Sequence, residues 1–254
     1  MSDRHIHTRS SSFDSSDSSK PANPTDSMGP SDSSNRSDSS DRSHGAISSA
    51  AAAAVPVRLR WTPQEIAVGA ALGAACGVVF WSFNFAYMPI SSLFGALLPG
   101  LASLVHAVWY FSGTLALLIL RKPGSALYVN LVGTLVESVI GSQFAIGFVL
   151  VSALLQGAFA EIPFSLTRYR RYDLPVSMVS GALVALEYGV YLMLFRYQGV
   201  AFLSPRGITH MICEVIGGIA ISGVMSWYLY RAIGRTGVLD RLPSGRALRA
   251  ERMI

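Results

Sequence analysis

Six apolar stretches, at about residues 65–88, 104–120, 124–141, 144–167, 175–196 and 207–232, recur along the chain with short breaks between them. Crossing a hydrocarbon core of roughly 30 Å takes about 20 apolar residues in a helix, because lipid offers no partner to an unpaired backbone group. Hydrophobic residues make up 51% of the chain and charged ones only 14%, gathered in a few clusters, so an all-α membrane protein of six transmembrane helices is expected. The segment 89–103, PISSLFGALLPGLAS, is broken by Pro89, Gly95, Pro99 and Gly100. It reads as a short helix or loop capping the outer side rather than a seventh span.

The basic residues orient these spans. Arg58 and Arg60 precede the first, Arg121 and Lys122 join the second to the third, and Arg168, Arg170 and Arg171 join the fourth to the fifth. Arg231, Arg235, Arg241, Arg246, Arg249 and Arg252 follow the sixth. With six spans every cluster falls on one side, whereas the opposite loops carry only Arg196 and Arg206. Positive loops stay in the cytoplasm, so both termini are expected there, in a multi-pass protein of the plasma membrane.

Outside the apolar region the composition changes. Residues 1–56 are dominated by Ser with scattered Asp, Arg, Pro and Asn, and cannot bury a core, so they are expected to form a disordered cytoplasmic tail. Residues 57–242 form the membrane domain, and 243–254 a basic cytoplasmic tail. The N-terminus lacks the basic start and prompt apolar region of a secretory signal, so the first span is expected to remain in the membrane. Cys76 and Cys213 sit in apolar runs away from any CxxC or Cys/His cluster and read as small packing residues. The net charge of +5 is accounted for by membrane orientation rather than by a nucleic-acid surface. The sequence contains no GxxxxGK[ST] phosphate loop, no HExxH pair and no GxSxG elbow, so no enzymatic activity is expected of the chain itself.

A charge at mid-bilayer depth costs at least a few kcal/mol, so polar residues inside the spans are candidates for function. Asn130, Thr134 and Glu137 fall at i, i+4 and i+7 of the third span, on one helical face, and Glu137 lies about 6 Å below its outer end. Trp81 and Asn84 in the first span, Trp109 and Tyr110 in the second and Gln156 in the fourth add to the set. So do Glu187, Tyr188 and Tyr191 in the fifth, and His210 and Glu214 in the sixth. By depth most of them gather in the outer half. Glu137, Glu187 and Glu214 give that half an acidic character suited to a cationic or amino-bearing heteroaromatic ligand, with Trp and Tyr faces to stack on the ring. The opposing readings are interfacial belt roles for the aromatics, and bridges from Glu187 and Glu214 to Arg196, Arg206 or His210. Glu161, near the cytoplasmic end, fits helix packing or subunit contact better than ligand binding.

The first span carries small residues at Ala67, Ala71 and Ala75 and again at Gly69, Gly73 and Gly77. Offset by two residues, about 200° around the axis, the two ridges occupy opposite faces, one for packing inside the bundle and one for a partner.

In order along the chain, RKPGSAL (121–127), LVESVIG (135–141), LLQGAFAE (154–161), DLPVSMVSG (173–181) and RTGVL (235–239) resemble the YkoE family. These are substrate-binding S components of energy-coupling factor (ECF) transporters, linked to thiamine and its hydroxymethylpyrimidine (HMP) precursor. The resemblance covers roughly residues 61–242. It implies a six-helix S-component bundle with an outward-facing pocket, working with a transmembrane T component and two ABC ATPases. It also implies that Ala67, Ala71 and Ala75 dock the T component. Binding roles pass most directly to Trp109, Glu137 and Gln156, which lie in or beside the matching segments. Trp81, Asn84, Asn130, Thr134, Glu187, Tyr191 and Glu214 complete the expected substrate-binding set on depth, alignment and charge. No cofactor and no resident metal are expected. Alternatives are another vitamin, a divalent metal such as cobalt held by His210, Cys213 and Glu214, or an intramembrane hydrolase using Glu137 or His210 as base.

Overall fold

The computed structural model describes residues 60 to 252. The sequence-based reading of residues 1–56 as a disordered tail, together with Arg58, lies outside them. Helix α1 (Pro63–Leu97) is followed by a 3₁₀ helix (Leu101–Trp109), α2 (Phe111–Leu120), α3 (Ser125–Gly141), α4 (Ile146–Leu166) and α5 (Leu174–Phe195). Then come α6 (Pro205–Gly217), a π-helical stretch (Gly218–Met225), α7 (Ser226–Arg235) and α8 (Pro243–Arg252). The described residues contain no strand.

Five helical segments are long and apolar enough to cross a membrane: α1, the 3₁₀ helix with α2, α4, α5, and the run from α6 through α7. The sixth apolar segment, α3, has 17 residues. All ten residues of α2 are buried, which makes it the axis around which the other helices pack. The hydroxyl of Thr114 in α2 is answered on several sides. Thr114 Oγ1 lies 3.1 Å from Ser180 Oγ and from Ser222 Oγ, and Ser180 Oγ donates to Ala160 O, so α2, α4, α5 and the π-helical stretch meet at one polar pin.

Helix α1 departs from expectation. Pro89 does not end it, and the 35-residue helix continues to Leu97, an axial length of about 52 Å, well beyond a hydrocarbon core. Beyond the proline, Ser91 Oγ and Ser92 Oγ both donate to Met88 O. At the other end, Thr62 and Glu65 form a reciprocal capping box, and Glu65 also pairs with Lys122 at 3.2 Å.

The glycine ridge of α1 faces α3. A Cβ on Gly73 would stand 2.7 Å from Val132 Cβ and 3.0 Å from Val129 O, so only glycine permits this approach. Ala67, Ala71 and Ala75, on the other face, are exposed.

Helix α3 begins on a cap supplied from α4. The Glu161 carboxylate accepts from Gly124 N (2.9 Å), Ala126 N (3.1 Å) and Tyr169 OH (2.9 Å), tying the first turn of α3 to the loop after α4. A carboxylate facing free N–H groups at a helix start is favoured by both hydrogen bonding and the helix dipole. Glu161→Ala is expected to lower unfolding stability by about 2 kcal/mol, measured by thermal unfolding in detergent. A midpoint equal to wild type would remove the capping role.

The segment 243–254, read as a tail, is helical over Pro243–Arg252. Leu248 within it is buried, as is Leu242 just before it, and Tyr230 OH donates to Ser244 O.

Candidate functional site

A cavity of about 1070 Å³ opens among α1, the 3₁₀ helix, α3, α4, α5 and the start of α6. Each element contributes through its own period. On α3, Thr134 and Glu137 line the cavity; on α4, Phe148, Ser152 and Gln156 do so at i, i+4 and i+8; on α5, Tyr188, Leu192 and Arg196 follow the same spacing. The 3₁₀ helix has three residues per turn, so Ser103, His106 and Trp109 stand above one another on one edge, and all three line the cavity.

Glu137 is 4% exposed and is oriented from behind. Asn84 Nδ2 donates to Glu137 Oε1 (2.8 Å), while Trp109 Nε1 donates to Asn84 Oδ1 (3.1 Å). Gln143 Nε2 donates to the Asn84 carbonyl (2.9 Å), linking the start of the α3–α4 loop to the same unit. The carboxylate and the indole are therefore one hydrogen-bonded unit spanning α1, the 3₁₀ helix and α3. Gln156 Nε2 donates to Ser152 Oγ (2.8 Å), which fixes the amide at the same wall.

Aromatic rings surround the indole. Trp109 meets Phe83 at 4.9 Å, Tyr87 at 4.8 Å and Phe144 at 6.1 Å between centroids, all edge-on. Phe148 continues the wall from Phe144. A carboxylate beside π faces can accept hydrogen bonds from an amine while the rings stack on a flat cation or heteroaromatic.

Of the ten sequence-derived binding residues, Trp109, Thr134, Glu137 and Gln156 line the cavity. The other six do not, each for a definite reason. Asn84 is buried and acts through Glu137. Asn130 lies deeper on the α3 stripe, where it is occupied by Ser112 Oγ and Ala153 O. Trp81 sits against Phe85, a residue 66% exposed, on the outside of α1. Tyr191 turns its hydroxyl to Phe148 O at 2.9 Å. Glu187, within α5, is buried with neither carboxylate oxygen hydrogen-bonded, outside the cavity wall. Glu214 is fully buried, accepting from Tyr110 OH (3.1 Å) and paired with His106 Nδ1 (2.7 Å). The lining thus carries one carboxylate, Glu137, rather than three, and two arginines, Arg196 and Arg206, join it.

His106, His210, Tyr87, Phe144 and Phe148 were not in that binding set. The apolar-polar pattern assigns His106 no face, because its register follows a three-residue repeat. His106, His210 and Glu214 bring one ligand atom each within 4.8 Å of one another. His106 and Glu214 already use their polar atoms on protein partners, Tyr87 OH meeting His106 Nε2 at 2.7 Å. Cys213, which only the divalent-metal alternative would enlist, is not part of this trio.

A family model described as the permease component of an ABC-type cobalt transport system matches residues 64–187. YkoE of Bacillus subtilis (strain 168), whose name describes an HMP/thiamine permease, is 27% identical over 193 residues, covering 76% of this chain and 94% of YkoE. A crystal structure of an S component of an ECF transporter matches with a TM-score of 0.69 at 26% identity, covering 76% of this chain and 96% of that one. With the buried helical axis, the apolar spans and the large cavity described above, the chain is an ECF-type S component, a substrate-binding membrane protein rather than an enzyme. It is similar to YkoE along nearly the whole of that protein.

Proposed function

We propose that the chain captures thiamine or its HMP precursor from the outer side of the plasma membrane. One observation carries the reading: Glu137, set at the cavity wall by Asn84 and Trp109 beside a wall of aromatic rings. In this reading the aminopyrimidine donates to Glu137 and Gln156 and stacks on Trp109, while a thiazolium, where present, meets the ring faces of Tyr87 and Phe144. The name of the B. subtilis relative supports the same ligand class.

The six apolar segments cross the bilayer with both termini in the cytoplasm, residues 57–242 forming the membrane domain. A T component docks on the exposed Ala67, Ala71 and Ala75 face, and two ABC ATPases supply the energy that this chain has no motif to provide.

Purified protein in nanodiscs is expected to be stabilised by thiamine or HMP, by about 2.7 kcal/mol when ligand exceeds Kd a hundredfold. No shift with either compound at millimolar concentration would overturn the reading.

The trio of His106, His210 and Glu214 and the cobalt description of the family model favour a second reading, a divalent metal as cargo. The closed hydrogen bonding of His106 and Glu214 argues against it, since a metal would have to displace those partners. Stabilisation by Co²⁺ that a chelator reverses, in the same titration, would favour the metal instead.

A further inference from the structure

The cavity lining carries charge of both signs. Glu137, Thr134 and Gln156 are buried in it, whereas Arg196 and Arg206 are exposed. Arg196 caps the C-terminal end of α5, and Arg206 is the second residue of α6, so the intervening loop folds two distant guanidinium groups onto one rim. Neither has a carboxylate within ion-pair distance among the described residues, where the arginine pairs are Arg231 with Glu251 and Arg249 with Asp240. Arg206 instead lies over Tyr197, 5.7 Å from the ring centroid, and Tyr197 lines the cavity too. The segments 89–103 and 142–145 carry no Lys or Arg, so the basic residues of all three loops on this side converge on the cavity rim. The N-terminus of α6 opens at the same place and adds its positive end to the field.

Size points the same way. Cavities for a single small ligand run from about 300 to 1000 Å³, and this one, at about 1070 Å³, leaves space toward the arginines once a ring is held at Glu137.

We propose that Arg196, Arg206 and Tyr197 form a subsite for a phosphate-type oxyanion on the far end of the substrate. The cavity then takes phosphate monoesters of the amino-heteroaromatic as well as the free compound. The subsite rests on the thiamine or HMP reading above, which fixes the ring at Glu137. Guanidinium forks suit phosphate oxygens, and two of them at an exposed rim attract a dianion while leaving room for its release. The same chemistry would hold the phosphate of an anionic lipid headgroup.

The test compares the Kd values of thiamine and thiamine monophosphate by calorimetry, in nanodiscs of phosphatidylcholine alone and with phosphatidylglycerol added. In phosphatidylcholine the monophosphate is expected to bind at least fivefold more tightly, a preference that shrinks as salt rises. Arg196→Ala with Arg206→Ala should bring the ratio to about one, and the corresponding double Lys variant should restore part of it. Loss of the preference on adding phosphatidylglycerol would support the subsite with lipid phosphate as a competing occupant; a preference unchanged by that lipid would support the substrate as sole occupant. A wild-type ratio of one or less, with thiamine still bound, overturns the subsite and leaves the ring reading standing. A preference that survives the double Ala substitution also overturns it. Binding of neither compound removes the ring reading and the subsite together.

Discussion

Glu137→Gln is expected to weaken thiamine binding by tenfold to a hundredfold while leaving the bundle folded. The amide oxygen that replaces Oε1 can still accept from Asn84 Nδ2, so the chain of contacts from Trp109 through Asn84 survives and the substitution removes little besides charge. Hydrogen bonds to charged groups contribute about 1.5–3 kcal/mol, which converts to that range of affinity at about 1.4 kcal/mol per tenfold. Glu187→Gln serves as the comparison. Its carboxylate is also buried but stands outside the cavity wall, so thiamine affinity should stay within twofold of wild type. Isothermal titration of both variants decides the matter. Equal affinity in wild type and Glu137→Gln would reduce Glu137 to a structural partner of Asn84, and a large loss in Glu187→Gln would mean that depth, rather than lining, determines which carboxylate the ligand meets.

That comparison isolates what sequence can and cannot say about such a site. Hydropathy and arginine placement give the height expected of a residue along the membrane normal, and the outer-half placement expected of Glu137, Glu187 and Glu214 rests on that alone. Rotation about the helix axis is a separate quantity, legible only where several polar residues share a face. The α3 stripe supplied three such residues, and two of them, Thr134 and Glu137, line the cavity. Glu187 shares a face of α5 with Ser180 and Tyr191, but those two bond to α4 carbonyls rather than line the cavity, and Glu214 shares a face with His210 that the bundle closes over with His106 and Tyr110. The 3₁₀ helix hid its functional edge more thoroughly, since nothing in LASLVHAVW announces three residues per turn rather than 3.6. Pro89 misled in the other direction. Proline and glycine are loop signals in water, but a membrane helix can carry them, as α1 carries Pro89 inside an unbroken 35-residue helix.

The two ridges of α1 make the sharpest separation of fold from function, because two substitutions two residues apart should fail in different ways. Gly73→Leu places a branched side chain where even a Cβ would stand 2.7 Å from Val132 Cβ, and the contact is helix on helix, so no flexible side-chain end can simply swing aside. Helix α1 must move off α3, forfeiting the close packing of Gly69, Gly73 and Gly77 together. The cost should be about 3 kcal/mol or more, enough for the variant to aggregate on extraction or lose its thermal transition. Ala71→Trp adds a larger side chain at an exposed position of the same helix, where nothing in the bundle is displaced. It should fold and bind thiamine with wild-type affinity yet fail to co-purify with the T component, because close approach of two helices across a small-residue face tolerates no indole. A Gly73→Leu protein of normal stability would contradict the packing described for α1 and α3. Normal complex assembly by Ala71→Trp would instead move the docking surface to another face, and the exposed apolar surface of α1 around Val78 and Phe85 would then be the next to test.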